Sequence, residues 1–234
     1  MIEVTGLTKV YGSQVALQAV SLAAPTGSVL TVLGPNGSGK TTLLRLLATL
    51  VRPTAGGGQV AGHDLVKDRP AVRRVIGLVS HGTQLYDDLT AFENLAFGHA
   101  LAGETPARAV LTDALARVGL EAQAGVRARE LSSGMRRRLA LARVMLRRPR
   151  VLLLDEPYAG LDQDSRKRLE EYLHAFKVEG GTVVLVTHSL RRGLAVADRV
   201  AILVSGRVAV HETPTAMTPD TLQQLYVTAT EVAE

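Results

Sequence analysis

The sequence predicts an α/β fold with a mainly parallel sheet, a small antiparallel β-layer attached to it and an inserted helical subdomain. Three observations lead there. Five short apolar runs, SVLTVLG, RVIGLVS, RVLLLDE, TVVLVTH and RVAILVSG, alternate with longer helical patterns, the order of parallel strands joined by crossover helices. The stretch before SVLTVLG, and GGGQVAGHDL further on, read instead as antiparallel strands and turns. Between Thr90 and Leu146 strand-like runs disappear and the apolar spacing becomes helical.

Taken in order, MIEVTGLTKVYG lacks a basic start followed by an apolar run, so no signal peptide is expected. Residues 10–39 carry no charge and are long enough to suggest a membrane span. However, APTG interrupts them, and Gln14, Gln18, Ser21 and Ser28 are spread along them, as in strands joined by turns. Any membrane contact is therefore expected through a partner. TAFENLAFGHALAG opens with a capping box from Thr90 to Glu93, and PARAVLTDALARVGL and GMRRRLALARVMLRR have helical apolar spacing. One domain is expected: a core of residues 1–89 and 147–210 with its β-layer, a helical subdomain of 90–146, and a C-terminal turn and helix over 211–234.

Composition limits function only loosely. At 234 residues the chain can bury a large core, and with 46% apolar but 3% aromatic residues that core should be Leu, Val and Ala. A net charge of +5 suits nucleic acid, anionic lipid or nucleotide alike. The absence of cysteine excludes disulfides and thiolate metal sites.

The chemistry begins at GPNGSGKTT, between the strand-like SVLTVL and the helical TTLLRLLATL. It fits the pattern G-x-x-x-x-G-K-[ST], a P-loop. Gly34, Gly37 and Gly39 permit close backbone approach, while the amides of Pro35-flanked Asn36, of Ser38 and of the helix start at Thr42 can hold phosphate oxygens. Lys40 would neutralise β/γ-phosphate charge, and Thr41 would offer its hydroxyl to Mg²⁺. The plainer alternative is a glycine turn capping a helix. Further on, Asp155 and Glu156 stand together at the end of VLLL, where like charges repel and desolvation is costly unless a cation or a reacting phosphate is near. Beside a P-loop, Asp155 is expected to hold Mg²⁺ through water and Glu156 to polarise the attacking water as general base. In ELSSGMRRRLALAR, Ser132 stands where it can cap the following helix, and Gly134 leaves the first amides open to an anion. Alone, that segment reads as a plain N-cap.

Together these elements resemble the ATP-binding-cassette (ABC) ATPases, whose signature motif is usually LSGGQ. Here Ser133 and Met135 occupy its third and fifth positions. The resemblance extends from residue 1 to about residue 210. It implies that Tyr11 stacks on adenine, that AGLD up to Asp162 is a D-loop, and that His188 in VTHS contacts the γ-phosphate. It further implies that Ser132, Ser133, Gly134 and Met135 meet the nucleotide of a second protomer. Read alone, Tyr11 is a strand aromatic and His188 a structural residue. The family normally carries a glutamine where this chain has His81, with Gln84 three residues out of register. A protonated histidine there would repel Mg²⁺, so pH sensitivity is expected.

The resemblance implies ATP and Mg²⁺ as cofactors, a homodimer in the ATP-bound state, and a separate membrane permease on whose cytoplasmic face the chain sits. Nucleic acid is not expected, because aromatic residues are not interleaved with the basic ones. SHGTQLYDDLTAFENLAF is similar to a segment of the ATP-binding subunit of the cytochrome c maturation transporter, the haem exporter, and drug and lipid exporters share parts of it. A soluble iron–sulfur assembly ATPase is the rival of similar size. Within that segment Leu85, Tyr86, Leu89 and Phe92, flanked by Asp87, Asp88 and Glu93, are expected to receive a basic helix of the permease.

Overall fold

The computed structural model describes residues 1–80, 82–101, 103, 105–212 and 218–231. β1 (Ile2–Tyr11) and β2 (Gln14–Ala24) form an antiparallel hairpin closed between Tyr11 and Gln14. Ile2, Val4, Leu7, Leu17, Val20 and Leu22 point inside, a period-two pattern shifted by one residue where the pairing is irregular between Val4 and Leu7. β3 (Val29–Leu33) is buried at all five positions and leads through the glycine loop into α1 (Lys40–Leu47). β4 (Ala55–Val60) and β5 (His63–Asp64) then complete a four-stranded antiparallel sheet of order β2-β1-β4-β5.

α2 (Arg69–Val75), with Pro70 in its first turn, runs into β6 (Ile76–Val79). Three helices follow: α3 (Ala91–Ala100), α4 (Arg108–Arg117) and α5 (Ser133–Met145). Thr90 and Glu93 close the expected capping box on α3. These helices share a core of their own around Leu95, Leu111, Leu115, Leu120 and Leu139; fully burying each leucine stabilises by about 1.5–3 kcal/mol.

The chain then alternates regularly through β7 (Val151–Asp155), α6 (Gln163–Val178), β8 (Thr182–Val186), α7 (Leu190–Val196), β9 (Arg199–Val204), β10 (Arg207–Glu212) and α8 (Pro219–Glu231). The second sheet has order β10-β9-β3-β8-β7-β6. Its five strands from β9 to β6 are parallel and coincide with the five apolar runs of the sequence. β10 was not anticipated: it pairs antiparallel with β9 at the sheet edge, and the Ser205-Gly206 turn between two Val-rich runs is the signal that could have found it. α8 packs Leu222 and Leu225 onto Val200 and Ile202. Because β3 lies between β9 and β8 with β7 beyond, the glycine loop and the end of β7 open on the same side, at the carboxyl ends of the strands, where ligands bind in open α/β sheets.

Candidate functional site

The loop 34–39 is shaped by close packing. A Cβ on Gly34 would lie 2.1 Å from the Leu203 carbonyl oxygen, and one on Gly39, at φ 102°, 2.5 Å from that of Ala16. Only glycine fits either position. α1 therefore starts from a glycine that offers no side-chain cap, and its first turn contains no acid. Lys40, buried at the base of the loop, donates from Nζ to the carbonyls of Gly34 at 2.8 Å and Pro35 at 2.7 Å. Burial pushes its pKa below the usual lysine value, and the carboxylates of Glu156 and Asp155 oppose that shift.

At the end of β7, Asp155 is buried and accepts a hydrogen bond at its Oδ2 from Thr41 Oγ1 at 3.2 Å. Glu156 follows in a left-handed conformation, φ 49°, which is uncommon for a residue with a side chain. Its amide donates to Val186 O at 2.9 Å. Its carboxylate accepts from Thr187 Oγ1 at 2.9 Å and from the His188 amide at 2.8 Å, and its Oε1 lies 2.7 Å from His188 Nδ1. With Glu156 ionised, that contact puts the proton of a neutral His188 on Nδ1 and leaves Nε2 as the acceptor.

One cleft of about 890 Å³ gathers most of the sequence candidates: Tyr11, Asn36, Gly37, Ser38, Gly39, Lys40, Thr41, Thr42, Asp155, Glu156 and His188. Gly34 and Pro35 join through their carbonyls on Lys40. The fit to a phosphate can be tested on Ser38, whose Oγ is buried without a hydrogen-bond partner among the described residues. Such a hydroxyl is costly unless a ligand oxygen completes it. Among the described residues no three His, Cys, Asp or Glu side chains are grouped so as to hold a metal ion by themselves, so a cation here would rely on Thr41 and Asp155 together with water and phosphate oxygens. That donor set suits Mg²⁺.

The remaining candidates lie elsewhere. Ser132 caps α5 by accepting from the Met135 amide at 3.2 Å. Ser133 and Gly134 pack against Gly160. Asp162 caps α6 by accepting from the Ser165 amide at 2.7 Å, and hydrogen bonding by Ser165 holds its carboxyl below the usual range. None of Ser132, Ser133, Gly134, Met135 and Asp162 lines the cleft. His81 lies outside the described residues.

Several residues of the site were missed by the sequence reading. Gln14, Val15 and Ala16 line the cleft from the β-layer, and Ser205 and Gly206 from the β9–β10 turn. The Gly206 amide donates to Ser38 O at 3.1 Å. The dipeptide Ser-Gly does signal a turn, but nothing local brings that turn to a loop far upstream in the chain. The acids expected to attract a basic helix have partners of their own. Asp87 is ion-paired to Arg136 at 2.6 Å, Asp88 to Arg129 at 2.7 Å, and Glu93 is committed to its capping box. All three acids stay exposed while so engaged, and surface pairs of this kind are weak. Beside them the segment presents Tyr86, exposed and in edge contact with Phe97.

A strand, a phosphate-binding glycine loop and a helix, faced by a buried aspartate and a glutamate held over the cleft, define a P-loop ATPase. Residues 17–159 match the family model for the ABC transporter. The daunorubicin resistance ATP-binding protein DrrA3 of Streptomyces coeruleorubidus is 41% identical over 94% of this chain and 70% of its own length. The sulfate/thiosulfate import ATP-binding protein CysA of Bordetella bronchiseptica is 42% identical over 88% of this chain and 60% of its own. The dimeric post-hydrolysis structure of the ATP-binding cassette MJ0796, bound to ADP and Pi, superimposes with a TM-score of 0.82 at 28% identity, covering 91% of this chain and 98% of that one. This chain belongs to the ABC transporter family as an ATP-binding subunit, and it is an ATPase. It spans 60% to 70% of the length of the two curated relatives.

Proposed function

We propose that this subunit hydrolyses ATP to drive a separate membrane permease, and that the transport is export. The observation carrying the hydrolysis is the Glu156 carboxylate, fixed by Thr187 and His188 at the mouth of the phosphate loop. In this reading Lys40 gives up its two carbonyl partners for phosphate oxygens, and Ser38 and the first amides of α1 complete the phosphate cradle. Thr41 and Asp155 would hold Mg²⁺, which when bound neutralises charge on the β- and γ-phosphates. Glu156 accepts the proton of the attacking water, and His188 stands beside it to meet the γ-phosphate. Tyr11 offers its ring to the base. Two copies would sandwich ATP, with Ser132, Ser133, Gly134 and Met135 of one protomer meeting the nucleotide of the other. The position of the signature segment, at the start of α5 and outside the lining of its own cleft, favours that arrangement, as does the dimeric state of MJ0796.

Among the described residues no helix is long and apolar enough to cross a membrane; in this reading an integral-membrane permease makes the crossing and this chain sits on its cytoplasmic face. Export is favoured by the drug-resistance relative, whose match covers more of both chains than that of the import protein. A second reading, haem export for cytochrome c biogenesis, rests on SHGTQLYDDLTAFENLAF. Neither relative's name mentions haem.

The test of hydrolysis is Glu156→Gln, which keeps the metal ligand and removes the base. Turnover should fall by ~10²-fold or more, while MgATP still binds and dimers accumulate on gel filtration. Near wild-type turnover with monomer alone would refute the assignment. Tyr86→Ala should spare the basal ATPase yet lower co-purification of the permease from membrane extracts. In a host that depends on the transporter, loss of c-type cytochromes would select haem export, and their persistence alongside lost co-purification would select another exporter.

A further inference from the structure

Arg137 projects from the second turn of α5 toward the end of β7. Its Nη2 donates to the Asp155 carbonyl at 2.6 Å and its Nη1 to the Ala159 carbonyl at 3.4 Å. The two acceptors bracket Glu156, Pro157 and Tyr158, so one guanidinium spans both ends of the short loop that carries the glutamate. The group is half-buried. Burial lowers its pKa, and the charges of Asp155 and Glu156 oppose that shift. No carboxylate lies within ion-pair distance of it among the described residues, and its Nε is buried without a partner. A desolvated cation held by main-chain carbonyls costs more than an apolar side chain of similar length would. Packing alone does not account for it.

The loop, by contrast, needs restraint. Glu156 adopts a left-handed backbone that a side-chain-bearing residue retains only when its surroundings impose it. The Val186 carbonyl holds the amide side of the Asp155–Glu156 peptide, and Arg137 holds its carbonyl side.

We propose that Arg137 is a positioning residue for hydrolysis: by gripping the carbonyls of Asp155 and Ala159 from α5, it keeps Glu156 turned toward the nucleotide cleft. Docking of α5 on the sheet is thereby a condition for an active carboxylate, although Arg137 does not line the cleft. This deepens the general-base reading of Glu156 and rests on it.

Arg137→Met removes every donor while keeping a long apolar stem. With folding verified by melting temperature, kcat should drop roughly tenfold or more, the scale for a misplaced catalytic group, while the KM for ATP stays within about twofold because the phosphate loop is untouched. Arg137→Lys, able to reach one carbonyl, should recover part of kcat. In a Glu156→Gln background, Arg137→Met should change the residual turnover by less than about twofold, since its route to the chemistry is already gone. An unchanged kcat in folded Arg137→Met overturns the proposal, as does an equal loss in both backgrounds, or a parallel rise in KM without recovery by lysine. If the methionine variant does not fold, Arg137→Lys decides: wild-type kcat refutes the proposal and a partial loss with unchanged KM upholds it. Wild-type turnover in Glu156→Gln alone removes the base assignment and this proposal together.

Discussion

α1 and α5 both begin with a turn free of acidic residues, so the dipole of each favours an anion at its start. They differ in the residue before that turn. α1 follows Gly39, whose left-handed conformation supplies no side-chain acceptor. α5 follows Ser132, whose hydroxyl already accepts from the Met135 amide. Uncapped amides need a partner from outside the helix, so α1 is prepared for a ligand in the cleft of its own chain. In α5 one of the first amides, that of Met135, is already taken by Ser132, so a ligand at that start would meet the amides of Ser133 and Gly134 beside an occupied cap.

Two experiments separate the two helix starts, and a third probes the segment after β6. The largest effect is expected at α1: Lys40→Ala should weaken ATP binding by ~10 to 10²-fold, the scale of a lost hydrogen bond to a charged group, read by titration with a fluorescent nucleotide. An unchanged affinity would mean that the anion sits elsewhere and would erase the distinction. Ser132→Ala should cost about 1 kcal/mol of stability for the lost cap and leave the ATP affinity of the monomer intact, while reducing dimer accumulation in the Glu156→Gln background. Weaker binding to the monomer would place α5 at its own chain's nucleotide. The smallest effect concerns the segment after β6. If His81 takes the glutamine's part, ATPase activity should fall on acidification as imidazolium forms near Mg²⁺, and His81→Gln should flatten that limb of the pH profile. Superimposable profiles would reduce His81 to a loop residue.

The contrast also explains what could be read from the sequence. The phosphate loop is contiguous, and its strand, glycines, lysine and helix follow in one short run, so local rules recover it whole. Asp155 and Glu156 were legible for another reason: two acids ending a buried strand are costly enough to demand an explanation. The capping box of Thr90 and Glu93 is equally local. Contacts made across long stretches of chain left no such trace. Thr187 on Glu156, Gly206 on Ser38, Arg137 on Asp155 and Arg136 on Asp87 join elements that only the assembled sheet brings together. The ion pairs of Asp87 with Arg136 and Asp88 with Arg129 are of the same kind, since counting charges in a single segment does not show their partners.

Tyr11 sits 41% exposed at the rim of the cleft, and Lys9 Nζ lies over its ring, 4.9 Å from the centroid, while donating to Arg52 O. The ammonium occupies one aromatic face, so a base can stack only on the other. The sequence contains no tryptophan. An indole introduced as Tyr11→Trp would keep the cation–π partner, for which tryptophan is the best acceptor, and would be the protein's sole strong red-edge fluorophore. Its emission would then follow the arrival and departure of the base optically, turnover by turnover, against a background free of competing indoles.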